Sequence, residues 1–138
     1  MRNEQSGLVV AIIHHCWRLL TFRGDFRLMP DSTGFVWLAM GASFLGGMTE
    51  QLVRSRTWGL ALVTTLAWLG FILLAANRSD VFNRRLASAL GLLSIGIQTL
   101  LVLSTWISGA EWPIAIWSSL AVMHLLSKAN NDRAGVWR

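Results

Sequence analysis

Three histidines, one cysteine and one mid-chain glutamine are the side chains of this sequence with most chemistry to offer. His14, His15 and His124 could ligate a haem or pigment, because neutral imidazole is a common metal ligand. Adjacent histidines diverge around a helix, however, and His124 stands one turn before Lys128, at the end of an apolar stretch. Cys16 is the only cysteine, so no disulfide forms within the chain. The seven acids fall in connecting segments, tails or at a helix start, which leaves a proton-coupled mechanism without a carboxylate inside an apolar span. Glu111 alone stands close to one, and its place at a helix start already accounts for it. Neither CxxC, HExxH nor a phosphate-binding glycine loop occurs, and no Ser-His-acid arrangement can be assembled. No catalytic residue, metal or cofactor is expected.

Gln98 belongs to the stretch that organises the rest. Residues 86–110 contain no charge, which is about the length of a bilayer core and predicts a transmembrane helix. Its least apolar positions, Ala87, Gly91, Ser94, Gln98 and Thr105, recur at intervals of three, four or seven and share one side. Small and hydrogen-bonding residues at that spacing let membrane helices approach closely, so Gly91 and Gln98 should face protein while Leu92, Leu93 and Leu103 have more freedom to face lipid. An amide near mid-span is expensive unpaired and should find a partner on a neighbouring helix. A place in a substrate or ion path is the rival role for Gln98.

Composition agrees with a lipid solvent. The chain is 54% hydrophobic and only 14% charged, against roughly a quarter charged in soluble domains. A net charge of +5 would suggest nucleic acid in a soluble protein, but here the charges gather at the ends of apolar stretches. There they act as topology signals and contacts to anionic lipid headgroups, and no nucleic-acid partner is expected.

Residues 7–22 are too short and too polar for a comfortable span. Leu8, Val9, Ile12, Ile13, Cys16, Leu19 and Leu20 gather on one side, with His14, Arg18 and Thr21 opposite. That pattern predicts an amphipathic helix lying in the membrane interface, anchored by Trp17, Arg18 and Arg23. Arg2 before an apolar run raises a signal peptide as the alternative, but no small-residue cleavage site follows. After Pro30, where Asp31, Ser32 or Thr33 can cap a helix, come a first span at 34–49, a second at 57–76, the central one at 86–108 and a last at 112–126. In the first span Ala39, Ser43 and Gly47 share a face, with Ala42 and Gly46 beside them. Trp58 and Trp112 sit at span edges as interfacial anchors, Lys128 is placed to snorkel, and Trp68, deeper, should pack inside the bundle.

The amphipathic lead followed by Arg23, Asp25, Leu28 or Met29, Pro30, Ser32 and a first span resembles the opening of short bacterial inner-membrane proteins similar to the Yip1 family. That resemblance covers about a quarter of the chain, the remainder matching by hydropathy. It implies a multi-span helical membrane protein without known catalysis, whose better-known relatives act in membrane trafficking and carry five spans to the four read here.

The fold class expected is therefore an all-α integral membrane protein, four transmembrane helices preceded by an interfacial helix, forming one domain. Arg2, Arg18, Arg23, Arg27, Arg78, Arg84, Arg85, Lys128, Arg133 and Arg138 fall on one side, and Arg54 and Arg56 on the other. The basic excess puts both termini in the cytoplasm, in a bacterial inner membrane. The function expected is non-enzymatic: an accessory, assembly or structural subunit of a larger membrane complex, or a homo-oligomer. A small transporter or channel component is the alternative, and a haem- or pigment-binding subunit a second one.

Overall fold

The computed structural model describes residues 2–77 and 81–135, with side chains from residue 7 onward. Arg78 and Arg138, counted in the charge balance above, lie outside the described residues. Five α-helices and one 3-10 turn account for the fold: α1 Arg2–Leu20, the turn Phe26–Leu28, α2 Thr33–Val53, α3 Trp58–Ala76, α4 Arg84–Ser104 and α5 Glu111–Gly135. Two of these helices, α3 and α4, are long and apolar enough to cross a membrane.

Helix starts follow the local chemistry. The Ser32 hydroxyl accepts from the Phe35 amide, Thr57 from Leu60 and Asn83 from Leu86, each satisfying one orphan N–H of a first turn. Two ends use left-handed residues that are not glycine. Phe22 (φ 61°) and Ser55 (φ 59°) close α1 and α2, with Arg23 N–H donating to Arg18 O and Arg56 N–H to Gln51 O. The Phe22 conformation costs roughly 1 kcal/mol. Its ring recovers contact by standing edge-on to Trp117 and His124, with centroids 4.9 and 5.4 Å away.

α4 is the axis of the fold. α1, α2, α3, α5 and the 3-10 turn all pack on it; every residue from Leu86 to Ser94 is buried, and after half-buried Ile95 and Gly96 so are Ile97 and Gln98. Leu92 and Leu93 are therefore core residues at 3% and 1% exposure, a correction to the lipid-facing role expected of them; Leu103 is exposed. Between Leu86 and Ser94 the helix is surrounded on all sides and has no outward face to give. Thr105 also departs from its expected place: it caps α4, is exposed and donates its hydroxyl to Val102 O, one turn back.

Several boundaries move. α2 continues four residues past 49 and takes in Glu50, α4 stops at Ser104, and α5 runs past the expected end at 126 to Gly135. The polar run after Leu126 stays helical because α5 is braced there by the chain between α1 and α2: Lys128 Nζ stands 3.6 Å from Asp25 Oδ2, and Arg27 pairs with Asp132.

The largest difference concerns α1. Cys16 meets α4 at Leu92 and Leu20 meets it at Gly96, so the two helices run side by side in one direction and α1 ends against the middle of α4. The chain then turns at Phe22 and returns along α5, with Leu20 beside Trp117, Gly24 beside Lys128 and Arg27 beside Asp132. A helix set apart from the bundle in an interface would make none of these contacts. Two glycines permit the hairpin. A Cβ on Gly96 would stand 3.0 Å from the Leu20 side chain, and one on Gly24 would stand 2.9 Å from the Leu19 Cα.

Candidate functional site

The small-residue stripes of α2 and α4 lie against one another. A Cβ on Gly91 would come within 3.0 Å of the Ala39 Cβ, Ser43 meets Ser94, and Gly47 meets Gln98, so the match advances turn by turn along two parallel helices. Ala87 is fully buried at the start of the same face. Side chains this small bring backbones close enough for van der Waals contact to hold the helices together.

A polar node sits within this contact. Gln98 Nε2 donates to the Ser43 carbonyl at 3.0 Å and to Ser94 Oγ at 3.2 Å, and the Trp68 indole N–H donates to Ser94 Oγ at 2.7 Å. The Ser43 and Ser94 hydroxyls are 2.8 Å apart. With the indole and the amide filling its two lone pairs, Ser94 has its own hydrogen left for Ser43. Three helices, α2, α3 and α4, are thereby tied to one oxygen. Gln98 Oε1 has no hydrogen-bond donor and is turned against Gly46, where a Cβ would be only 2.4 Å away. The Cα–H of glycine is what fits there, a weak donor in place of a strong one.

Beside the node a cleft of about 500 Å³ opens between α3 and α5, which pack on α4 without substantial contact with each other. Ser94, Ile97, Gln98 and Leu101 of α4 form its floor. Its walls carry Thr64, Thr65 and Trp68 on one side and Ala115, Ser118 and Ser119 on the other. Thr65 Oγ1 and Ser118 Oγ are buried without a partner, one on each wall. Trp68 and Phe71 stack at 5.4 Å along the α3 side. At one end stands Glu50, 5% exposed, whose carboxylate accepts from Gln51 Nε2 and lies against Arg54 Nε, close but misaligned for a hydrogen bond. Arg54 also reaches Glu111 Oε2 at 3.4 Å, joining the end of α2 to the start of α5.

The remaining candidates are dispersed. Trp17, Trp58 and Trp112 are exposed at three separate positions, on α1 and at the starts of α3 and α5. Arg23 is exposed at the hairpin tip, and Arg18, half-buried, donates to the Arg23 carbonyl. His14 and His15 stand edge-to-face 6.1 Å apart on α1, whereas His124 packs on Phe22. No group of three or more His, Cys, Asp or Glu side chains converges among the described residues. Cys16 Sγ donates to the Leu92 carbonyl and is half-buried there. At the other end of the hairpin, the hydrogen bond and charge of Asp132 hold the Arg27 guanidinium above its usual pKa.

Sequence reading passes over several residues that matter to this geometry. Thr65 and Ser118 carry no spacing signal that separates a cleft wall from ordinary packing, although the Ser118–Ser119 pair is unusual in an apolar stretch. Glu50 reads as part of a polar connection until its burial is seen. Trp117, whose indole donates to the Leu20 carbonyl at 2.7 Å, fixes the α1 hairpin from a distance of 97 residues. Comparison with family models, with curated proteins and with solved structures finds no match for this chain.

Proposed function

We propose that the chain is a four-span membrane protein without enzymatic activity, an accessory or assembly subunit whose partner helix docks in the cleft between α3 and α5. The membrane part of this reading is supported by the exterior of the bundle. Trp37, Leu38 and Leu45 on α2, Val63 and Leu74 on α3, and Ile116, Leu120 and Met123 on α5 are all exposed, while Ser43, Thr65, Ser88, Ser94, Gln98 and Ser118 are buried. Water is a poor solvent for such a surface. α2 and α5, with shorter apolar stretches than α3 and α4, complete the set of four.

Charge supports an orientation. Arg27, Arg85, Lys128 and Asp132 gather at the end where α4 begins and α5 finishes, with Arg84 and Arg133 nearby, whereas Arg54 and Arg56 stand at the opposite end. The basic end faces the cytoplasm by the positive-inside rule, in a bacterial inner membrane. On this reading the α1 hairpin is re-entrant: it rises beside α4 and turns back near mid-depth. Arg23 at its tip then needs polar surroundings, which local thinning of the bilayer provides.

The observation that carries the subunit role is the cleft itself. Ala115, Ser118, Ser119 and Thr64 leave room for close approach of another helix, and the exposed Ser119 hydroxyl stands at the cleft rim. A solute path is less well supported, because Glu50, the acid at the cleft, is already engaged by Arg54 and Gln51. The Yip1-like pattern at 23–32 fits a non-catalytic role of this kind.

A photo-crosslinker at Ser119, on the cleft rim, tests the docking reading in intact membranes, with Leu38 on the far side of the bundle as control. A discrete protein adduct at Ser119 that is absent at Leu38 and lost on Ala115→Trp is expected, with an adduct of twice the chain mass identifying a second copy. Lipid adducts alone at both positions would overturn the subunit role. Cysteine labelling of Arg56→Cys from the cytoplasm only would overturn the orientation.

A further inference from the structure

Two cavities join at the basic end of the bundle. One, of about 300 Å³, is lined by Arg84 and Arg85 at the start of α4, Arg133 near the end of α5, and Asn83 and Asp31. The other, of about 630 Å³, is a groove between α2 and α3 lined by Val36, Trp37, Met40, Leu69 and Leu73. Val81, Phe82 and Arg84 belong to both, so a guanidinium pocket opens directly into an apolar groove. Along α2 the groove extends from Thr33 to Met40, about 10 Å at the rise of a helix.

Among the described residues, three guanidinium groups and one carboxylate line the pocket, and neither Arg84, Arg85 nor Arg133 makes an ion pair. Arg85 donates to the Arg27 carbonyl at 3.2 Å, which fixes its direction without neutralising it. Guanidinium forks match phosphate oxygens two at a time, and the excess positive charge disfavours a headgroup carrying its own cation. The groove next to them asks for a different chemistry. Trp37 is 73% exposed there, over the buried Val36 and Met40. A phosphate with a hydrocarbon chain attached satisfies both parts at once, and a free phosphate satisfies only one.

We infer that this junction is a binding site for one anionic glycerophospholipid, its phosphate held by Arg84, Arg85 and Arg133 and one acyl chain laid in the α2–α3 groove. The site rests on the membrane reading above and deepens it, since basic pockets between spans on the cytoplasmic side are where anionic lipids are held. Asp31 at the pocket edge sets the phosphate toward the arginines and away from itself.

Native mass spectrometry of the detergent-solubilised full chain tests the inference, using phosphatidylglycerol and phosphatidylcholine with identical acyl chains. The chain should retain one phosphatidylglycerol under conditions that strip phosphatidylcholine. Arg84→Gln with Arg133→Gln should weaken that retention by roughly tenfold or more, while Arg56→Gln at the opposite end leaves it unchanged. Equal retention of the two lipids by the unaltered chain would overturn the site, as would unchanged selectivity in the double variant or displacement of the lipid by inorganic phosphate. If the double variant fails to fold, the comparison of lipids on the unaltered chain decides alone. Failure of the membrane reading looks different: the chain would then leave the membrane fraction without detergent.

Discussion

Gly46→Ala adds one methyl group to α2 and places it 2.4 Å from Gln98 Oε1. No carbon and oxygen share that distance without bonding, so the amide must move. The obstacle is the far end of a flexible side chain, so the backbones of α2 and α4 can stay where they are. What is lost is the amide's attachment: its bonds to the Ser43 carbonyl and to Ser94 Oγ, at 3.0 and 3.2 Å, cannot both survive the displacement. The bond to the Ser43 carbonyl crosses from α4 to α2, a class that averages about 0.6 kcal/mol and reaches about 1.7, and the bond to Ser94 lies within α4, so the loss of both sets the cost at about 1 to 2 kcal/mol. Gly70→Ala is the control. It adds the same methyl group in the middle of α3, where nothing lies within 4 Å, and should be neutral or stabilising by up to about 1 kcal/mol as helix propensity alone dictates. The same chemical change thus has opposite signs at two positions.

The assay is reversible unfolding in mixed micelles, followed by tryptophan emission. A cycle with Gln98→Ala isolates the cause, because without the amide the methyl group at position 46 has little to displace and most of its cost should vanish. A Gly46→Ala variant as stable as the original chain would refute the reasoning. So would a cost that persists undiminished in the Gln98→Ala background, since the methyl group would then be colliding with something other than Gln98.

Ser94→Ala removes the acceptor of the Trp68 and Gln98 donors together, and should cost about 1 to 3 kcal/mol in the same assay, more than Ser119→Ala, whose hydroxyl bonds only within its own helix. Gly24→Ala should loosen the α1 hairpin, because its methyl group would meet the Leu19 backbone, which cannot rotate away; faster proteolysis between α1 and α2 with α2–α5 intact is the expected readout. Spin labels along α1 should report depth that increases toward Leu20 and decreases again by Arg27; constant depth would restore a helix flat in the interface, and depth that continues through to the other face would make it a fifth span. Cys16 should alkylate more slowly than a cysteine placed at Trp17, because its thiol is half-buried against the Leu92 carbonyl whereas Trp17 is exposed; equal rates would show that α1 does not pack on α4 there.

What could be read from residue order was what depends on one helix at a time. The stripe Ala87, Gly91, Ser94 and Gln98 and the stripe Ala39, Ser43 and Gly47 each follow from helical period, because neighbours along a helix are fixed by the sequence itself. That the two stripes meet, Ser43 on Ser94 and Gly91 on Ala39, depends on the path of α3 between them and is invisible in either one. The same limit explains the error over Leu92 and Leu93. Hydropathy distinguishes apolar from polar, and a leucine against lipid has the same hydropathy as a leucine under four other helices.

The α1 hairpin marks a second kind of limit. Residues 7–22 have the composition of an interfacial helix because one side is apolar and the other carries His14, Arg18 and Thr21. In the fold that division is used in part: Ile12, Cys16, Leu19 and Leu20 pack inward, but Leu8, Val9 and Ile13 from the same side remain exposed. Amphipathic character gives a helix a preferred side and says nothing of its tilt. Tilt is set here by contacts at the far end, where Trp117 holds the Leu20 carbonyl, Gly96 receives the Leu20 side chain and Lys128 meets Asp25. Each of those partners lies about a hundred residues away or on another helix, and each is an ordinary residue until the chain between them is folded. The hairpin is consequently the element in which local pattern and tertiary contact disagree most. It also carries exposed Arg23 at its tip, so the position of that guanidinium is settled by contacts of α5 rather than by the sequence of α1.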